Sequence, residues 1–154
     1  MQQLGISIKF DCSSTDSSVP TDVKSQEGLD HLISVISKDH DSVDVLFVNG
    51  RLSRYEFDTV AGVMQPNPVY ARPGSSLSEL YEALASSRRE DWDDTFQTNV
   101  ESVFYTVVSF IPLLGEAAKK GQGRGSVVIT GSASGIHWDK GVDNLHYATS
   151  KAFF

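Results

Sequence analysis

Three side chains near the carboxyl end of the chain have the types and the spacing for proton transfer: Ser132, Tyr147 and Lys151. Tyr147 and Lys151 are four residues apart, so on a helix they share one face. A phenol with an ordinary pKa of about 10 is a poor acid–base group at neutral pH, but a neighbouring ammonium stabilises the phenolate. A serine hydroxyl can hold a carbonyl oxygen against the phenol. The trio therefore predicts proton exchange with a carbonyl or an alcohol while a cofactor handles the hydride.

A short apolar strand precedes Ser132, and the start of a helix carries the tyrosine and the lysine. Residues 127–129 are Val, Val and Ile, a β-branched run typical of a parallel sheet that is covered on both faces. Open α/β sheets bind their ligands beyond the carboxyl ends of their strands. We therefore expect strand, turn and helix to bring the three side chains together at such an edge.

The strand, the Ser132-x-x-Gly135 turn and Tyr147-Ala-Thr-Ser-Lys151 together resemble the catalytic segment of the short-chain dehydrogenase/reductases. The resemblance implies a Rossmann-type α/β fold with a doubly wound parallel sheet, and NAD- or NADP-dependent interconversion of a carbonyl and an alcohol. It makes Tyr147 the general acid/base and Ser132 the residue that positions the carbonyl oxygen. Lys151 would stabilise the phenolate and hold the nicotinamide ribose. A solvated helix start with an incidental tyrosine and lysine is the alternative.

Asn99 adds a fourth candidate catalytic residue, one turn into the longest predicted helix, about residues 91–119. By the resemblance it bends the helix and holds a water molecule that links the lysine to solvent. An ordinary buried amide is the other explanation. Pro112 lies inside this helix and is expected to bend or interrupt it. Two capping boxes are predicted before it, at Ser76–Glu79 for a short helix through residue 85 and at Ser87–Glu90 for the long one.

The amino-terminal half has the pattern of a β–α–β unit. Residues 4–10 alternate as a strand, a helix is expected from Thr21 or Gln26 to Asp39, and residues 43–48 are a second buried strand. By the resemblance, Asp11 contacts the adenine ring, while Asn49 and Gly50 border the cofactor in a turn that is about one residue short. Ordinary strand-end turns explain the same residues. Residues 51–75 are expected to be irregular.

The apolar residues of helix 91–119 surround it almost completely. One apolar stripe consists of Phe96, Val100, Val103, Phe104, Val107, Ile111 and Leu114. A second consists of Tyr105, Val108, Phe110 and Leu113. A helix with two apolar faces is expected to bury both. One face would cover the sheet and the other would meet a second subunit, which agrees with the helical dimer interface that the resemblance implies.

The sequence matches only the middle of the family's pattern. It does not contain the family's first two strands, its glycine-rich TGxxxGxG phosphate loop or its last strands. We therefore expect the 154 residues to form a partial, loosely packed and aggregation-prone sheet that binds dinucleotide poorly. A catalytically inactive remnant that acts as a dimerisation or interaction module is the alternative to an enzyme.

Length and composition predict one domain, residues 1–154. A net charge of −7 argues against a nucleic-acid or anionic-membrane surface, and His31 and His40 have no paired ligand at metal spacing. No uninterrupted apolar run reaches the about 20 residues of a membrane span, and the first residues lack the pattern of a signal peptide. Cys12 is the single cysteine, which suits a reducing compartment. These features predict a cytoplasmic protein without a metal.

Overall fold

The computed structural model describes residues 19–50, 57–58, 63–64, 74–136 and 145–153. The predicted strand at residues 4–10, and Asp11 with it, lie outside this part of the chain. The elements in chain order are α1 (Gln26–Asp39), β1 (Val45–Val48), β2 (Phe57–Asp58), β3 (Val63–Met64), α2 (Leu77–Ala85), α3 (Arg89–Phe96), a π-helical turn (Gln97–Glu101), α4 (Ser102–Lys119), β4 (Ser126–Ile129), a 3₁₀ turn (Ala133–Gly135) and α5 (Leu145–Lys151).

Contacts between Cα atoms group the chain into two compact units. The first unit is Met1–Arg51 with Thr98–Thr130, and the second is Leu52–Gln97 with Gly131–Phe154.

The first unit contains a two-stranded parallel sheet. β1 pairs with β4 in a register that places Val45 opposite Ser126 and Val48 opposite Ile129. The Thr130 N–H donates to the Val48 carbonyl at 3.0 Å and extends the pairing to the carboxyl ends of both strands. The structure is thus a two-stranded part of a Rossmann-type α/β fold, in agreement with the predicted fold class.

One face of this sheet packs on α4, and side chains of α1 join the same core. The other face is exposed in the described part of the chain. Leu46 and Val48 are buried, whereas Val45 and Phe47 alternate with them and are each 56% exposed. The prediction of strands covered on both faces is therefore wrong for these residues. The core of the unit consists of Leu32, Ile36, Val43, Leu46, Val48, Val103, Phe110, Leu113 and Leu114.

Helix α1 follows its predicted pattern closely. It begins at Gln26, where the Ser25 side chain accepts a hydrogen bond from the Gly28 N–H at 3.0 Å, and it ends at Asp39. A serine at this position satisfies one of the backbone donors that a helix start leaves without a partner. Leu29, Leu32 and Ile36 are the buried side chains, and their spacing of three and four residues places them on one face of the helix.

The long helix differs from its prediction in two respects. α4 continues through Pro112 to Lys119, and the change in helix type lies instead at the π-helical turn Gln97–Glu101. The buried side of α4 also mixes the two predicted stripes, because Phe110 and Leu113 are buried while Phe104 and Ile111 are exposed. The places between the apolar core residues are occupied by small polar ones, namely Thr98, Asn99, Ser102 and Thr106.

Among the described residues one helix, Arg89–Lys119, is long and apolar enough to cross a membrane by length and composition. The sequence prediction did not identify this helix, because polar residues interrupt its apolar runs. Of its most apolar window, 39% is buried within the structure. Core helices of soluble proteins meet the same criterion, so this is weak evidence for a membrane span.

The second unit contains α2, α3 and α5. β2 and β3 form a short antiparallel pair within the stretch that was expected to be irregular. The second predicted capping box is wrong, because α3 begins after Arg88, which makes no side-chain cap. The Ser87 hydroxyl instead accepts a hydrogen bond from the Trp92 indole N–H at 2.8 Å.

The first predicted capping box is confirmed at the start of α2. The Glu79 carboxylate accepts from the Ser76 backbone N–H at 2.7 Å and from its hydroxyl at 2.8 Å, and the Glu79 N–H donates to the Ser76 Oγ at 3.3 Å. The backbone bond, followed by the hydroxyl bond, lowers the pKa of Glu79. A carboxyl whose pKa is lowered on folding stabilises the fold at pH values above its unfolded pKa, and this contribution is lost as the pH falls through the lowered value.

Replacing Ser76 by alanine is expected to cost about 1 kcal/mol of unfolding free energy at neutral pH, because the variant loses the hydroxyl that accepts from the Glu79 N–H and donates to the Glu79 carboxylate. The cost should shrink at acidic pH, where Glu79 is protonated in either variant. Urea unfolding of the two proteins at neutral and acidic pH measures both effects. Ser78→Ala, at an exposed position inside the same helix, is the matched control and should be neutral or slightly stabilising. An equal cost for the two alanine variants would contradict the prediction.

Candidate active site

Helix α5 carries two of the predicted catalytic residues on one face. Tyr147 is 6% exposed and Lys151 is 3% exposed, and they are one helical turn apart. Lysine is almost never buried to this degree without polar partners. A phenol and an ammonium that share a water-poor helix face are the arrangement that the proton-transfer chemistry requires, because their interaction is only weakly screened there.

Ser132 begins the 3₁₀ turn Ala133–Gly135 and has an extended backbone conformation. Its Oγ accepts a hydrogen bond from the Ser134 N–H at 3.2 Å, which fixes the direction of the side chain. Accepting this bond uses a lone pair and leaves the hydroxyl hydrogen able to donate to a carbonyl oxygen. The turn packs against α5, so the structure brings the serine-bearing and the tyrosine-bearing elements into contact.

Helix α5 is also held by α3 through a series of aromatic rings. The Trp92 and Phe96 rings stack with their centroids 6.0 Å apart, and Phe96 meets Phe153 edge-on at the same distance. Trp92 also lies 6.1 Å from the ring of His146, the residue before Tyr147. Trp92 was not among the predicted site residues, although its spacing of four from Phe96 indicates a shared helix face.

Beside these rings lies a pocket of about 530 Å³. Leu145 and His146 of α5 line it together with residues of α2 and α3, among them Trp92 and Arg89. The pocket is on the side of α5 that faces these two helices. Tyr147, Lys151 and Ser132 are not among its lining residues.

Asn99, the fourth predicted catalytic residue, belongs to the first unit. It is fully buried in the π-helical turn Gln97–Glu101. Single π-helical turns inside α-helices are frequent at functional sites, because they redirect a side chain and free backbone groups from the regular hydrogen-bond pattern. The catalytic role of Asn99 stays a prediction.

The predicted cofactor residues Asn49 and Gly50 follow β1 in the first unit, and Asn49 is exposed. A Cβ added at Gly50 would meet no atom of the described residues within 4 Å, so these residues leave the space beside this strand end open. Open space here fits the passage of a cofactor beyond the carboxyl end of the strand. Asp11 lies outside the described residues, and in the described part of the chain no three His, Cys, Asp or Glu side chains converge as a metal site would require.

A family model described as short chain dehydrogenase matches residues 75–154, which is more than half of the sequence. The chain therefore belongs to the short-chain dehydrogenase family.

Two curated relatives are the short-chain dehydrogenase/reductases PhomF and PhomF' of Diaporthe leptostromiformis. Each is 28% identical to this chain over 132 residues, which are 85% of this chain and 41% of the relative. The chain thus spans about two fifths of the length of these relatives.

Solved structures with the same fold include Pseudomonas aeruginosa RhlG in an active-site complex with NADP. It is 24% identical to this chain and has a TM-score of 0.60. The match includes 87% of this chain and 41% of RhlG. The NADH-dependent reductase A1-R' complexed with NAD is 22% identical with a TM-score of 0.61, and 88% of this chain covers 45% of it. At these identities the likeness supports the Rossmann-type fold.

Proposed function

We propose that the chain belongs to an NAD(P)-dependent oxidoreductase that interconverts a carbonyl and an alcohol. The observation that carries the proposal is the burial of Tyr147 and Lys151 one turn apart on α5, against which the Ser132 turn packs. In a member of the short-chain dehydrogenase family, this set of side chains has a direct chemical use. Neither a solvated helix nor an ordinary core needs a buried ammonium at this place.

In the direction of reduction, the Tyr147 hydroxyl gives its proton to the carbonyl oxygen of the substrate. The Ser132 hydroxyl donates a hydrogen bond to the same oxygen and stabilises the charge that develops on it. The Lys151 ammonium stabilises the phenolate left on Tyr147. In the direction of oxidation the phenolate takes the proton back from the alcohol. A nicotinamide dinucleotide, when bound, supplies or accepts the hydride.

The family resemblance assigns roles in the same reaction to two further sets of residues. Asn99 would hold a water molecule through which the phenolate regains its proton from solvent, a role that its burial in the π-helical turn supports. Asn49, Gly50 and Asp11 would line the cofactor, and Lys151 would hold the nicotinamide ribose. The open space at Gly50 fits this assignment. The sequence contains no TGxxxGxG loop for the pyrophosphate, so we expect weak dinucleotide binding by these 154 residues.

Titration of the purified chain with NADPH and NADH, followed by the fluorescence of the reduced nicotinamide, tests the proposal. We expect a saturable increase with an affinity weaker than micromolar. Lys151→Met should abolish the increase, because the variant removes the ammonium proposed to hold the ribose. Lys119→Met, at an exposed site, is the matched control and should behave as the unmodified chain. Micromolar affinity together with a sharp cooperative melt would contradict the expectation of an incomplete site.

A second candidate function is an interaction module without catalysis. The exposed apolar side of α4, formed by Phe104, Tyr105, Val108 and Ile111, favours association with a second copy or with an intact relative. The same face would also make the enzyme a homo-oligomer. If neither dinucleotide produces a Lys151-dependent signal while sedimentation shows a dimer, the second candidate is preferred.

The proposed partners are a small carbonyl or alcohol substrate and no nucleic acid or membrane, in keeping with the net charge of −7. We propose a cytoplasmic location, which the single cysteine supports. Fractionation of cells that express the chain tests the location, and recovery in the membrane pellet would contradict it.

A further inference from the structure

The contact between the Ser132 turn and α5 has its tightest point at Gly135. A Cβ added to this residue would lie 2.7 Å from the carbonyl carbon of Lys151 and 2.9 Å from the amide nitrogen of Ala152, and still closer to the Lys151 oxygen. Real side chains do not approach other atoms this closely. Any side chain at position 135 would therefore clash with the backbone of residues 151 and 152, so only glycine fits here.

The three atoms that crowd this position are backbone atoms at the end of α5: two belong to Lys151 and one to Ala152, just after the helix. A flexible side chain could swing away from an added methyl group, but a backbone carbonyl held in the last turn of a helix cannot do so without moving the helix. Backbone atoms also crowd a Cβ at Gly28 and at Gly125, but those atoms do not belong to α5. A Cβ at Gly115, inside α4, would meet no atom of the described residues within 4 Å.

A hydrogen bond inside the turn transmits the position of Gly135 to Ser132. The Gly135 N–H donates to the Ser132 carbonyl at 3.0 Å, and the Ser134 N–H holds the Ser132 hydroxyl at 3.2 Å. The turn therefore moves as one body, and a change in its distance from α5 changes the distance of the Ser132 hydroxyl from the residues of α5.

We propose that Gly135 is a positioning residue that sets the distance between the Ser132 hydroxyl and the Tyr147–Lys151 face of α5. It does so by letting the turn rest directly on the Lys151 carbonyl. The expected effect on catalysis rests on the proposed function, whereas the close contact between Gly135 and Lys151 does not. A methyl group at Gly135 pushes the turn away by roughly 1 Å, a misplacement that can cost on the order of 100-fold in the rate of an oriented reaction.

The test compares Gly135→Ala with Gly115→Ala in the full 154-residue chain. For Gly135→Ala we expect kcat to fall at least about tenfold, with the dissociation constant of the reduced dinucleotide changed by less than about twofold. The pH–rate profile should also change its shape, because the serine no longer shares the carbonyl oxygen with the tyrosine in the same geometry. A loss of folded protein alone would lower the rate equally at every pH. Gly115→Ala should match the unmodified chain.

A structural measurement decides the inference without activity. In the NMR spectrum of the unmodified chain we expect a nuclear Overhauser effect between a Gly135 Hα and the Ala152 amide proton, since the glycine hydrogen in the Cβ position points at that nitrogen. This measurement uses the unmodified chain, so it tests the inference even if Gly135→Ala does not fold. It also tests the inference if the chain has no oxidoreductase activity, and in that case only the proposed function fails. Absence of the effect, or a folded Gly135→Ala variant with unchanged kcat in an active chain, would overturn the inference.

Discussion

Replacing Tyr147 by phenylalanine is expected to lower kcat by about 10²- to 10⁴-fold, the range that a positioned general acid contributes. The variant removes one oxygen atom from a side chain that is 6% exposed, and it leaves Lys151 and the aromatic contacts of α5 in place. The affinity for reduced dinucleotide should stay within about twofold of the unmodified chain. Absorbance of the reduced nicotinamide during turnover measures the rate, and fluorescence titration measures the affinity.

Tyr81 provides the matched control for this experiment. It lies on α2 and is 71% exposed, so Tyr81→Phe removes the same atom from a tyrosine outside the proposed site and should leave kcat unchanged. Equal turnover by the Tyr147→Phe variant and the unmodified chain would refute the catalytic assignment. An equal loss in both tyrosine variants would point to a general effect on folding.

Replacing Phe110 by alanine is expected to cost about 3–5 kcal/mol of unfolding free energy. Phe110 is fully buried at the centre of the core that α1, β1 and α4 share, and its removal leaves a cavity as well as lost apolar contact. Because the stability of a small domain is only about 5–15 kcal/mol, most of it would be lost. Urea unfolding followed by far-ultraviolet circular dichroism measures the change.

Phe104→Ala is the control for the core prediction. Phe104 lies on the same helix and is 60% exposed, so its removal takes little buried surface from the monomer and should cost less than about 0.5 kcal/mol at low protein concentration. A cost below about 1 kcal/mol for Phe110→Ala would contradict the prediction, because it would mean that the core around this ring is loosely packed.

Local signals in the sequence were sufficient for the elements that carry their own caps and spacing. The end of α1 at Asp39 was predicted, and of the two predicted starts the structure has Gln26. The Ser76–Glu79 pair determined the start of α2, because this interaction is formed within a few residues. The joint placement of Tyr147 and Lys151 on α5 was predictable for the same reason.

Features that depend on packing were not predictable in this way. The burial of Thr98, Ser102 and Thr106 instead of Phe104 and Ile111 contradicts any ranking by hydrophobicity. For Ser102 burial is possible because a helical hydroxyl can bond back to its own backbone, here to the Thr98 carbonyl at 2.6 Å. The buried hydroxyls of Thr98 and Thr106 have no hydrogen-bond partner among the described residues. The second capping box failed because Ser87 bonds the Trp92 indole, and the need for glycine at position 135 arises from a neighbour that is distant in sequence.

The π-helical turn Gln97–Glu101 has a consequence for how the long helix comes apart. It separates α3 from α4, and the boundary between the two compact units falls inside it. Where the pattern of helical backbone hydrogen bonds changes its repeat, fewer bonds must break for unfolding to begin there and spread in both directions along the helix. Amide deuteration should therefore enter the helix at its middle as well as at its ends, and α3 with its aromatic rings can open as a cooperative segment while α4 stays folded.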